Sequence, residues 1–389
     1  MIRKHSWRAC SCLGYVTLLL WLCLAEPVQA DDPLDGFTDP EDGAIDLSQW
    51  LLDRRGFLPV PIVITEPAVG YGGGIAVAFF RESLGDAAAK AKGGHVTPPD
   101  IYGAAIAATE NGTQFGGLGA MFTFDEDRWR YRGGIGRAEV HLDFYGVGGD
   151  LGTGDRKIGY TLDGWVSSQQ VLRRVGATNH YLAARWIYLD LDSRFDTGQE
   201  QPVLSDHERA RRASGIGLSW EHDSRDTIFT PSRGLLAAVE TLFYDPSWGS
   251  DTSFETWRAY LFWYTPIGRS VVLGTRLDGR TARGDVPFYQ LPYIELRGIP
   301  AVRYQDEYVG VAEVEARWNV TPRWAVIGFF GAGRAWGRRD DFDEADTEVA
   351  KGAGFRYLIA RRLKLYAGLD YGWGPDDEAF YIQVGSAWR

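Results

Sequence analysis

Cysteine is nearly missing from this chain. Only Cys10, Cys12 and Cys23 occur, all close to the N-terminus. Everything after them must hold together without a disulfide. Long apolar runs are missing as well. Past the N-terminal stretch, none approaches the ~20 residues that a membrane-spanning helix needs. Positive charge is in deficit, with 41 Lys and Arg against 52 Asp and Glu. That balance argues against nucleic acid as a partner. Histidine is sparse, at six. His95, His141, His180 and His207 are scattered without ligand spacing, so no metal site and no cofactor are expected.

The N-terminus has the layout of an export signal. Arg3, Lys4 and Arg8 form a basic start, Leu13 to Leu24 an apolar core, and Val28-Gln29-Ala30 a small-residue exit. Residues 1–30 are read as a signal peptide cleaved after Ala30. Leu22 before Cys23 does not suit a lipoprotein. Losing Arg3, Lys4, Arg8 and Glu26 moves the net charge from −11 to −13.

Glycine is abundant at 48 residues, and aromatics make up 14%. Residues 31–56 begin acidic and loop-like. "DLSQWLLDRRGF" then predicts a short helix, with Asp46 or Ser48 as N-cap and Gly56 as its stop. From Phe57 to the C-terminus the hydrophobic period is two. In "YVGVAEVEARWNV", Tyr308, Gly310, Ala312, Val314, Ala316 and Trp318 oppose Glu313, Glu315 and Arg317. "RSVVLGTRLDGRTA" sets Leu273, Thr275 and Leu277 against Arg276, Asp278 and Arg280. In "RLKLYAGLDYGW", Leu365, Ala367, Leu369 and Tyr371 oppose Lys364, Tyr366 and Asp370. In "FYIQVGSAWR", Phe380, Ile382, Val384 and Trp388 oppose Gln383.

Such alternation fits a soluble β-sandwich or a membrane barrel with its apolar face toward lipid. Three features favour the barrel. Trp257, Tyr260, Trp263 and Tyr264 read as interfacial aromatics. Tight connections ("NVTPR", "TPIGR", "DEDR") alternate with long polar ones ("GRRDDFDEADTE", "DTGQEQPVLSDHE"). The last strand closes on Trp388. About sixteen strands result, from Phe57–Glu66 to Glu378–Trp388, an even number as single-chain bacterial barrels have. The fold class is therefore all-β: an antiparallel transmembrane barrel over residues 57–389, behind a short N-terminal segment. Lipid offers no hydrogen-bond partner to an open edge, so the first and last strands are expected to pair.

Three chemical motifs have plainer readings. "HDSRD" contains His222, Asp223 and Ser224, but neighbours on a strand face opposite ways and a triad must converge. "GYGGG" lacks the Lys-Ser/Thr tail of a phosphate loop. "DDFDEAD" lacks the glycine and the terminal glutamate of a calcium loop.

Several stretches resemble the BamA/TamA outer-membrane family, the bacterial surface antigen superfamily. "ELRGIP", with Leu296, Arg297 and Gly298, resembles its Val/Leu-Arg-Gly-aromatic loop. "EHDSRDTIFTPSRG" resembles its Asp-x-Arg-Asp…Pro-x-x-Gly turn, through Asp223, Arg225, Asp226, Pro231 and Gly234. "GAGFRY" matches its later glycine-rich strand. The resemblance covers roughly Arg209 onward, in the family's order. It implies a sixteen-stranded barrel whose loop, here Pro287 to Gln305, folds into the lumen and pins its arginine to acidic residues. Candidate partners are Asp278, Glu313 and Glu315. Two departures stand out. Ile299 replaces the aromatic, and Phe329-Phe330-Gly331-Ala332-Gly333 replaces Phe-x-Asp-x-Gly, so the usual aspartate is a glycine. Residues 31–56, read as periplasmic, are also too few for a POTRA domain.

The resemblance implies residence in the bacterial outer membrane, with outer-membrane lipids as partners and unfolded outer-membrane or secreted proteins as candidates. The expected activity is non-covalent insertion or translocation of protein or lipid, at a weak seam between the first and last strands. Pro59 and Pro61 in the first strand support this, since neither can donate a ladder hydrogen bond. The alternatives are a passive or plugged channel, and an outer-membrane lipid hydrolase using Ser224 or His222. No enzymatic activity is expected.

Overall fold

The computed structural model describes residues 37–83, 85, 100–145, 157–196, 211–338 and 340–388. The expected signal peptide, His95, His207 and most of the loop starting at Asp196 lie outside the described residues.

The alternating segments fold as sixteen strands after one helix, α1 (Ser48–Asp53). The first eight are β1 (Gly56–Ile64), β2 (Gly72–Phe80), β3 (Ile101–Thr109), β4 (Gln114–Phe124), β5 (Trp129–Phe144), β6 (Ile158–Arg174), β7 (His180–Phe195) and β8 (Arg212–Asp223). The rest are β9 (Gly234–Tyr244), β10 (Phe254–Ile267), β11 (Val271–Gly284), β12 (Tyr308–Asn319), β13 (Trp324–Trp336), β14 (Thr347–Ala360), β15 (Leu365–Trp373) and β16 (Glu378–Val384). Each pairs antiparallel with its chain neighbour in one sheet.

Period two becomes inside and outside. On β13, Trp324, Val326 and Phe330 are 49%, 48% and 51% exposed, whereas Ala325, Ile327 and Phe329 are 1%, 1% and 6% exposed. On β12 the outer face carries Val314 and Trp318, and the inner face buries Glu313 and Arg317. On β12 large apolar side chains face outward and ionised ones inward. A soluble sandwich reverses that arrangement, and a membrane barrel requires it.

Strand parity corrects the aromatic reading. Trp257 and Trp263 are on the outer face, but Tyr264, at the other parity, is buried against Leu236 and Phe262. Tyr260 shares that inner face and stacks on Phe262 at 5.0 Å. The terminal tryptophan is corrected too. β16 ends at Val384, and Gly385 turns the chain at φ 83°. Trp388 enters the same inner cluster, so it does not join Phe380, Ile382 and Val384 outside. Alternation carries no information once the strand has ended.

α1 begins without a side-chain cap on its N-cap residue, Leu47. Asp46 instead accepts the Ser48 amide at 2.7 Å just ahead of the helix.

The expected closure is absent. Among the described residues the ladder order runs from β1 to β16 and no ladder joins those two strands. Pro59 and Pro61 explain part of this. Residues two apart present the same strand edge, and the β1–β2 register is unbroken over nine pairs. The edge that lacks these N–H donors is therefore the one facing β16.

Candidate functional site: the loop across the seam

Residues 285–307 connect β11 to β12 and run across the lumen. Their apolar side chains explain why. Phe288 packs on Phe144 and Tyr160, with ring centroids 5.4 and 5.0 Å apart, on the wall made by β5 and β6. Across the lumen, Ile294 and Leu296 lie on Gly333 and Gly331 of β13. A Cβ at either glycine would sit 2.6 Å from those side chains. The space above Gly331 is thus filled by Leu296.

Arg297 follows and is buried at 9% exposure. Its Nη2 and Nε donate to Glu313 Oε1 at 2.7 and 3.2 Å, and its Nη1 donates to Asp370 Oδ2 at 2.6 Å. Glu315 Oε2 is 2.7 Å from Nη2 as an ion pair. The guanidinium carbon lies 3.7 Å from the Phe329 ring centre. Of the three candidate partners, Glu313 and Glu315 meet Arg297. Asp278 does not: it accepts from Arg258, Arg276 and Arg280. Arg276 links the two groups, 3.6 Å from Glu313 and 2.9 Å from Asp278. With Arg280 on Glu295 and Arg356 bidentate on Asp370, five carboxylates face five guanidiniums. A buried network of this kind is tolerable because its charges balance and its donors are directed.

Arg297 is seated by a backbone contact that only glycines allow. Gly298 has φ 99°, and a Cβ there would lie 2.8 Å from both Gly374 N and Trp373 C. In return, a Cβ at Gly374 would lie 2.3 Å from Gly298 O. Loop and β15 end therefore meet main chain to main chain.

The same few residues reach both edges of the seam. The Gly298 N–H donates to Tyr381 Oη on β16 at 2.9 Å. The Ala301 N–H donates to Glu66 Oε1, just past β1, at 3.0 Å. Burial is the larger influence on the Glu66 carboxyl and raises it above its ordinary value, against the Ala301 and Ala68 amides. Outside, Tyr71, just before β2, stacks on Phe380 of β16 at 5.5 Å. The C-terminal tail joins as well: Trp388 Nε1 donates to Glu313 Oε2 at 2.8 Å.

At the opposite end of the barrel the chain ahead of β1 forms a strap. Arg323, in the β12–β13 turn, binds Asp39, Asp42 and Asp46 at 2.5, 2.7 and 2.5 Å. Arg361, in the β14–β15 turn, binds Asp42 at 2.6 Å and also pairs with Glu41. The Leu47 N–H donates to Ile359 O at 2.6 Å. The strap is fixed to the last strands and then continues through α1 into β1, passing the seam.

The Asp223-to-Gly234 segment lies between β8 and β9. Arg225 forks onto Asp223 at 2.9 and 2.8 Å. Asp226 accepts the Ser232 amide at 2.9 Å and pairs with Lys364 at 2.7 Å. Pro231 O accepts from Arg317 Nη2 at 3.1 Å. Gly234 has φ 95°, and a Cβ there would lie 2.2 Å from Ser224 O. The hydrolase set does not converge. Ser224 Oγ bonds the Leu235 backbone, and the His222 ring lies against His180 at 4.5 Å.

Sequence reasoning placed Asp370 inside without making it a partner of Arg297. It overlooked Tyr381, Glu66 and Gly374. "YGWG" carried a usable signal, since glycines beside a bulky strand end mark close backbone approach.

An apolar exterior, a charged lumen and sixteen consecutive strands define a transmembrane β-barrel of the bacterial outer-membrane class. Within that class the fold is the BamA type. The crystal structure of BamA from Haemophilus ducreyi lacking POTRA domains 1–3 superposes with a TM-score of 0.58 at 11% identity, covering 85% of this chain and 70% of that one. CdiB from Escherichia coli gives 0.55 at 12% identity, over 84% and 62%. CdiB from Acinetobacter baumannii gives 0.51 at 12%, over 84% and 59%, so the chain spans about three fifths of either CdiB. No family model and no curated protein sequence matches the chain.

Proposed function

We propose that this barrel moves or inserts protein or lipid at the outer membrane without covalent chemistry, by parting β1 from β16. The loop at 285–307 acts as a clamp on that seam, and Arg297 is the bolt that seats it. One observation carries the reading. Three residues apart, Gly298 holds β16 through Tyr381 and Ala301 holds β1 through Glu66, where no ladder does so. Each link is a single hydrogen bond worth about 1 kcal/mol net, so the seam is held yet can be released.

The test is folding of a urea-denatured outer-membrane barrel into liposomes containing this protein. Acceleration that disappears when Tyr71→Cys and Phe380→Cys are joined by a short bis-maleimide supports a working seam. Acceleration that survives the cross-link removes the seam from the mechanism. A second reading, a plugged channel, is favoured by the loop's position across the lumen. It predicts no acceleration of folding, and planar-bilayer conductance that rises in Arg297→Ala.

A further inference from the structure

The inner wall is not charged all the way round. β1, β2, β3 and β4 contain no Asp, Glu, Lys or Arg on either face. One cross-strand row runs Val60, Ala76, Ala105, Gly117, Gly136. Gly136 pairs with Val166, which packs on the core that includes Val286 and Leu291 of the lumen loop, so this row faces inward. Val60 is 40% exposed there, and Phe115, two residues from Gly117 on the same face, is 44% exposed. Small side chains leave a hollow of about 430 Å³ over β2 to β4, lined by Ala, Gly, Val, Ile, Leu, Phe and Met alone.

We infer that this wall is a binding surface for the hydrocarbon chains of membrane lipid, reached around the β1 edge of the seam. Two arguments select the occupant. First, the outer face of the same strands meets the bilayer, and no ladder closes β1 against β16. The apolar exterior is therefore continuous with the apolar interior. Second, the hollow offers no polar side chain, and the strands' own backbone groups are used in their ladders. An unfolded polypeptide laid there would bury unpaired amides, whereas an acyl chain has none to bury. The hollow also falls within the roughly 300–1,000 Å³ range of small-molecule sites. This inference stands on the barrel and its open seam. No residue of this wall takes part in the Arg297 clamp, so either can fail without the other.

The chain beyond Cys23 lacks cysteine, so single thiols can report on each wall. Ala105→Cys carries a fluorophore on the apolar inner wall, with Ala76→Cys in the same row as a second reporter. Ala104→Cys, between Val77 and Leu118, marks the lipid-facing side. Ser219→Cys, paired with Glu240, marks the charged lumen. Each protein is placed in liposomes, and quenching by bromine on the acyl chains is divided by quenching by iodide in the buffer. The expected result is a ratio at Ala105 and Ala76 nearer to that at Ala104. Ratios nearer to that at Ser219 mean a watered wall and overturn the inference.

Discussion

Replacing Arg297 with alanine tests the centre of the site. The structure says which groups suffer. Asp370 keeps Arg356, which forks onto it at 2.5 and 2.7 Å. Glu313 keeps the Trp388 indole at 2.8 Å and Arg276 at 3.6 Å. Glu315 loses the guanidinium that stands 2.7 Å away. Five carboxylates would then face four guanidiniums, with the excess charge at Glu315. Stranding one charge of a buried pair costs about 3–5 kcal/mol. Because two of the three acids keep partners, the lower end applies, about 3 kcal/mol. Arg297→Lys should fall between wild type and alanine, since one ammonium cannot span Glu313 and Asp370 as a planar fork does. The decisive variant is the double one. Arg297→Ala with Glu315→Gln removes the stranded charge and should recover about 1–2 kcal/mol. Urea unfolding of the barrel in lipid vesicles, followed by tryptophan fluorescence, measures all of these. An Arg297→Ala cost within about 0.5 kcal/mol of zero would refute the reasoning. So would a Glu315→Gln change that adds to the loss.

Gly298→Ala should unseat the loop although the charges remain, because its φ of 99° and its 2.8 Å approach to Gly374 exclude a Cβ. Conductance should rise to the level of Arg297→Ala; wild-type conductance would contradict the backbone contact. Arg323→Ala should free the strap, so that protease cuts ahead of β1 at least about tenfold faster while the barrel stays intact. Unchanged cleavage would mean that Arg323 does not hold it. The strap should also respond to acid. Arg323 hydrogen bonding is the largest influence on Asp42 and holds its carboxyl well below its usual 3.8. Burial is the largest influence on Asp46 and pushes upward, but Ser48, Arg323 and Arg361 together hold it below 3.8 as well. The unfolded strap therefore takes up protons more readily than the docked one, and docking is complete above pH 3.8 and lost as pH falls below it. Protease protection should persist at about pH 5 and fade toward about pH 2, and loss already at pH 5 would contradict the pairing.

Much of the fold was legible because lipid imposes a strict period. Glu313, Glu315, Asp278 and Asp370 were all placed inside by alternation alone, and the structure puts them there. Their pairing was not legible. Asp370 and Arg297 are 73 residues apart, and alternation gives a face without giving a height on the barrel or a neighbour across it. Trp388 was misplaced because one turn at Gly385 cancels the parity of everything after it. Closure was inferred from the needs of an edge in lipid. It failed locally because Pro59 and Pro61 remove donors from that edge, and loop and strap contacts stand in for the ladder. Gly331 looked like a lost partner for the arginine. Its meaning, room for Leu296, appears only once the loop is in place.

The strap has a bearing on how the molecule is put together. Asp39, Asp42 and Asp46 leave the ribosome early, but their receptors Arg323 and Arg361 belong to the final third of the polypeptide. Docking must wait until the last hairpins have arrived, so an occupied strap marks a finished barrel. A version of the chain truncated before Arg323 should keep those aspartates open to protease; if they were protected, the strap would have another resting place.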